Sequence, residues 1–165
     1  MDSTSNEQKL QELASRPDSQ QAASTYKLLQ EDIVNQLQQK MPDIVFVEVP
    51  NTVRSRGCGV EYSGIDERTA VSQTLGRLKA DRSISDDLWP QAFQVVQEVS
   101  AQQGFANPQV LKDQPGDHDI VLSDAKGARL SFGTAVNSVL SITTGCHLTP
   151  LAHKNGGSLP PSPPG

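Results

Sequence analysis

Two sulfurs and three imidazoles are the groups in this chain whose chemistry could go beyond packing. Cys58 stands between Gly57 and Gly59 in a glycine-rich loop, and Cys146 follows Gly145 at the end of the last predicted strand. As thiols they are candidate nucleophiles beside a histidine. As a pair at two element ends they could be cross-linked, and as buried free thiols they would only pack. Their positions leave these choices open. His118 lies between Asp117 and Asp119, a composition that suits an acid/base histidine flanked by carboxylates. On an alternating strand, however, His118 points away from both neighbours, so a strand start with solvated charges is the simpler reading. Cys146 and His147 could seed a metal site. Zinc needs three or four ligands at recognisable spacing, and Cys58, His118 and His147 fall in no such order, so no metal is expected. Neither Gly57 with Gly59 nor Gly156 with Gly157 forms a phosphate loop. Arg54, Arg56, Arg77, Lys79 and Arg82 make a modest basic cluster that could meet anionic headgroups, but a solvated face is the simpler reading.

The whole chain bounds these options. It has 165 residues, with 14 Lys and Arg against 19 Asp and Glu, for a formal charge of −5. That balance argues against a nucleic-acid binder, which needs a basic face. No apolar run approaches the roughly 20 residues of a membrane span.

Residues 18–41 carry the main N-terminal helix. Tyr26, Leu29, Ile33, Leu37 and Met41 recur every three or four residues and form one face. Asp18 suits the helix N-terminus, and Pro42 stops the helix. Residues 43–50 are β-branched and aromatic and predict a strand. Residues 51–66 read as a loop around Cys58, and 69–78 as a weaker strand with Gly76 as a bulge. The second helix opens at Ser85, Asp86 and Asp87, which offer capping oxygens, with Pro90 in its first turn. Trp89, Phe93, Val96 and Ser100 share its inner face, and Gly104 followed by Phe105 suits a Schellman ending. Strands follow at 109–113, 118–123, 128–133 and 137–144, with a turn at Asp124 to Gly127. Short connections imply antiparallel pairing. The expected fold is α+β, a two-layer sandwich with a mostly antiparallel sheet packed against two helices.

The ends differ from the middle. Residues 1–16 are polar, with only Leu10 and Leu13 on a helical spacing, and are expected to be flexible. Residues 149–165, rich in proline and glycine, are expected to be a disordered tail. The single domain is therefore 17–148. The opening has no charged segment followed by an apolar one, which suits a cytosolic protein or the mature part of an exported one.

Four stretches carry a family resemblance. Arg16 and Pro17 lead into the helix bearing Tyr26, Leu29 and Ile33. Gly57, Cys58 and Gly59 follow the first strand. Ile84, Ser85, Asp86, Asp87, Leu88, Trp89 and Pro90 open the second helix. Asp113, Gln114, Pro115, Gly116, Asp117, His118 and Asp119 lead on towards Thr144, Gly145, Cys146, His147 and Leu148. In this order, over residues 16–148, the chain resembles the LppA-like lipoproteins of mycobacteria and related actinobacteria. The resemblance implies an exported protein, lipid-anchored to the outer face of the cell membrane through an N-terminal cysteine. This sequence carries no such cysteine, and residues 1–16 would serve as the tether. Export into an oxidising compartment in turn implies a Cys58–Cys146 disulfide. The family lends no catalytic residue and no cofactor. The expectation is a non-catalytic envelope domain that binds an unidentified lipid, small molecule or envelope protein, and no nucleic acid. The rivals are a hydrolase-like or thiol enzyme using His118 or a free cysteine, and a cytosolic interaction domain.

Overall fold

The computed structural model describes residues 2–157. The order is α1 (Asp2–Ala14), α2 (Ser19–Lys40), β1 (Val47–Glu48), β2 (Arg54–Arg56), a 3-10 turn (Val60–Tyr62), β3 (Ala70–Thr74), β4 (Leu78–Ala80) and α3 (Trp89–Ala101). Then come β5 (Ala106–Gln114), β6 (Asp117–Ser123), β7 (Arg129–Thr134), β8 (Ser138–Thr143), β9 (His147–Leu148) and α4 (Pro150–Lys154). The fold is α+β, with an open antiparallel sheet running β1-β4-β8-β7-β6-β5. β3 joins β8 at Thr74 and Thr143, and carries β2 and β9 with it.

The two principal helices form as their residues dictate. Asp18 caps α2 in a reciprocal box: its carboxylate accepts from the Gln21 amide, and the Asp18 amide donates to the Gln21 side chain. α3 ends in a Schellman pattern, with Gly104 at φ 84° and the Phe105 amide donating to the Ser100 carbonyl. Tyr26, Leu29, Ile33 and Leu37 of α2, and Ala92, Val96 and Val99 of α3, meet Ile120, Leu122, Leu130, Phe132, Leu140 and Ile142 from the inner sheet face. This is the main core.

A second, smaller core sits on the opposite, outer face, at the β3–β9 end. It joins Leu13, Tyr62, Ala70, Cys146, Leu148 and Ala152, with Leu10, Cys58 and Ile65 beside them. Two expectations are corrected here. Residues 2–14 form a helix whose Leu13 is fully buried, rather than a flexible tether. Two apolar residues suffice because Tyr62, Ala70, Cys146, Leu148 and Ala152 complete a satellite core with them. Residues 149–157 are also ordered. Thr149 caps α4 by accepting from the Ala152 amide, and Ala152 is buried. The remainder of the expected tail lies outside the described residues.

Smaller differences have local causes. The predicted strand at 43–50 pairs only at Val47 and Glu48, because Ile44 and Phe46 turn into the core from irregular backbone. The stretch 69–78 divides into β3 and the start of β4 around Gly76. β2 has no apolar alternation and runs along the edge against β3.

Candidate functional site

Cross-strand register identifies which side chains share the outer face. One row runs Lys112, Asp119, Gly133, Val139 and Lys79. A second runs Ser123, Arg129, Thr143, Thr74 and Arg54. Helices α2 and α3 cover only the inner face, so two hollows remain open on the outer one.

The first hollow, about 300 Å³, lies between Lys112, Asp117, Asp119, Ser131, Gly133, Asn137 and Val139. Its centre is Asp119, half-buried and without a hydrogen-bond partner among the described residues. Burial raises its pKa above the ordinary carboxylate value, with Asp117 adding to the rise and Lys112 opposing it. Gly133 keeps the notch open, since a β-carbon there would lie 2.9 Å from the His118 carbonyl oxygen and 3.1 Å from Asp119 Oδ1.

The second hollow, about 450 Å³, is walled by Glu12 and Arg16 of the N-terminal arm, by Glu61 and Tyr62, and by Ser72, Lys126, Arg129 and Thr143. Cys58 and Cys146 line it together. They are bonded to each other, with Cα atoms 5.3 Å apart, so neither sulfur is a free thiol. Arg16 donates to the carbonyls of Cys146 (2.8 Å) and Lys126 (3.2 Å) and pairs with Glu12 (3.1 Å). Gly145 has no room for a side chain: a β-carbon there would fall 1.7 Å from the Lys126 carbonyl oxygen. Asp124 holds the adjoining turn, accepting from the amides of Lys126 and Ala128 and from the Tyr26 hydroxyl. Burial, and then that bond to Asp124, push the Tyr26 pKa upward.

His118 is elsewhere, on the inner face. Nδ1–H donates to Asp113 Oδ1 at 2.9 Å and Nε2–H donates to Asp86 Oδ1 at 2.7 Å. Its ring stacks on Trp89, whose indole also stacks on Phe132. Burial pulls the His118 pKa down. The bonds and charges of Asp86 and Asp113 outweigh it, so the net pKa is above the ordinary value. The Gly116 amide, and then His118, lower the pKa of Asp86. The imidazolium thus ties the turn before α3 to the β5–β6 hairpin. Both ring nitrogens are occupied by carboxylates, so in this arrangement neither can take a proton from a substrate.

Sequence reasoning correctly turned His118 away from Asp117 and Asp119. It missed Asp86 and Asp113, which arrive from other elements. Asp86 was expected to cap α3; it is bonded to His118 instead, and Ser85 accepts from the Leu88 amide. Cys146 and His147, the pair that could have seeded a metal site, are engaged in other bonds. The Cys146 sulfur is bonded to Cys58, and His147 Nδ1–H donates to the Pro17 carbonyl at 2.9 Å. His147 Nε2 is buried without a partner, and burial lowers that residue's pKa. No group of three or more His, Cys, Asp or Glu is placed to hold a metal among the described residues. The basic cluster divides. Arg54 and Arg56 lie on β2, while Lys79, on β4, pairs with Asp81 at 3.5 Å.

Comparison with known proteins adds a family. Residues 1–150 match the family model LppA, described as a lipoprotein confined to pathogenic Mycobacterium. No individual protein of curated function matches the chain. The fold is similar to LppA from Mycobacterium tuberculosis, at 14% identity and a TM-score of 0.77, covering 94% of this chain and 93% of that one. It is also similar to a DUF4853 family protein from Actinomyces odontolyticus, at 15% identity and a TM-score of 0.55, covering 90% of this chain and 79% of that one. At these identities the two structures speak for the fold alone.

Proposed function

We propose, from the premise that the chain belongs to the LppA lipoprotein family, that it is a non-catalytic envelope module. In this reading it is lipid-anchored outside the cytoplasmic membrane and holds a small polyhydroxylated ligand in the hollow at Asp119. The observation that carries the reading is the half-buried Asp119 carboxylate without a protein partner, at the centre of an open notch. A carboxylate accepts readily from two neighbouring hydroxyls. Asn137 and Ser131 supply further donors and acceptors, Lys112 supplies a cation, and Val139 supplies an apolar wall for C–H faces. Clefts that combine an apolar wall with a few convergent polar groups are the usual form of small-molecule sites. The enzyme rivals have less support, because they need a free thiol or a free nitrogen on His118, and both sulfurs and both His118 nitrogens are engaged.

Two measurements test the reading separately. Backbone amide shifts titrated with mannose and with inositol should move at residues 117–119, 131–133 and 137–139. Asp119→Asn should weaken binding at least tenfold while leaving the fold intact. Shifts elsewhere, or an unaffected Asn variant, would overturn the ligand site. Fatty-acid labelling of the native protein in its own cells tests the anchor, and an unlabelled product would overturn it.

A further inference from the structure

We infer that the outer face around Arg54, Arg56, Lys126 and Arg129 is a docking surface for an anionic bilayer. Register places Arg129 and Arg54 in one row, separated by the Thr143–Thr74 hydroxyl pair, with Arg56 opposite Ser72 on the same face of β2. Three strand spacings of about 4.8 Å put the two row arginines about 14 Å apart. Lys126 stands in the adjoining turn, on the rim of the 450 Å³ hollow. None of the four has a carboxylate partner among the described residues, whereas Lys79, Lys112, Arg16 and Arg68 all do. Arg54 is exposed and uses one Nη for the carbonyls of Asn51 and Val53, both at 2.8 Å.

Of the acids nearby, Glu12 is paired with Arg16 and Asp124 is bonded to Tyr26 and to turn amides, which leaves Glu61 and, beside Gly57, Glu67. Four of the chain's cations without a carboxylate partner thus lie along one stretch of the outer face, on a chain of net charge −5. Unpaired cations spread up to about 14 Å apart, around an open hollow and along a hydroxyl-bearing row, suit an array of phosphate headgroups better than one enclosed anion. The inference rests on the envelope reading only in choosing a bilayer over a free phosphate. The N-terminal arm, which would lead to the anchor, forms one wall of the same hollow.

The test uses the full 165-residue chain without a lipid, so it does not depend on the anchor. Cosedimentation with phosphatidylcholine vesicles is compared with vesicles in which about one lipid in three is phosphatidylglycerol. Binding should require the anionic lipid. It should fall about fivefold for each cation removed in Arg54→Gln, Arg56→Gln and Arg129→Gln, and vanish in high salt. Lys40→Gln, in the other layer, should bind as the parent does. Circular dichroism checks that each variant is folded, and the salt dependence of the parent serves if one is not. Equal binding to both vesicle types, or variants that bind unchanged, would overturn the inference. Amide shifts at residues 54–56 and 126–129 with inorganic phosphate, but no vesicle binding, would overturn it in favour of a free-anion site.

Discussion

Replacing Cys58 and Cys146 together by alanine should cost about 4–5 kcal/mol, from the entropy the unfolded chain regains when a loop of this length is opened. The two residues are 88 apart in sequence, so the bond closes more than half of the chain. The loss compares with a typical total of about 5–15 kcal/mol for a domain. It should be read by urea denaturation, with the midpoint falling and the slope rising, because an uncrosslinked denatured chain exposes more surface. The damage should also be localised. Both sulfurs belong to the satellite core, so hydrogen exchange should accelerate first in α1 and in the segment 57–70, with α2 and β6–β8 following only at global unfolding. A change below about 1 kcal/mol would refute the reasoning. It would mean that the apolar contacts of Leu13, Tyr62 and Leu148 hold the ends alone, or that the denatured chain keeps them together.

Leu13→Ala, at a fully buried position, should cost about 2–5 kcal/mol and release α1 to limited proteolysis within residues 2–14, while the near-ultraviolet signal of Trp89 is retained. The two buried histidines should bend stability against pH in opposite directions. The pKa of His118 is above 6.5 in the folded state, so its stabilisation is complete below 6.5 and is lost as pH rises through the folded value. The pKa of His147 is below 6.5, so its contribution is present above 6.5 and is lost as pH falls towards the folded value. Thermal melts should therefore peak near pH 6.5, and His118→Gln should flatten the alkaline limb alone. Fluorescence of Trp89, the single tryptophan, should follow the titration of the imidazole stacked on it. A pH-independent emission would contradict the bracket of Asp86 and Asp113.

Periodicity made the main core legible. The α2 stripe from Tyr26 to Leu37, and the alternations of Ile120 with Leu122 and Leu130 with Phe132, each carry their burial in their own spacing. The satellite core was not legible, because its members come singly. Leu13 means nothing until Tyr62, Ala70 and Leu148 are brought to it from distant segments. β2 has only arginine and serine to show, and an edge strand against Ser72 and Thr74 needs no apolar face. The bracket around His118 was half-legible. Alternation removed the wrong aspartates, but Asp86 looked like a helix cap because serine and aspartate before Trp89 and Pro90 fit that role. Asp119 could be read from its neighbours only as a solvated charge. The opening at Gly133, two strands' worth of sequence later, is what makes it the floor of a notch.

The seating of α1 has a mechanical consequence. A tug on the amino end does not load the sandwich of α2, α3 and β6–β8 directly. It is taken first by Leu10 and Leu13, then by the Arg16 guanidinium gripping the Cys146 and Lys126 carbonyls, and finally by the covalent link at Cys58, which cannot slip. His147 and His153 hold the Pro17 and Arg16 carbonyls on the far side of that grip. The domain is thus suspended from its own clamp, and drag on the body strains the clamp before it reaches the main core.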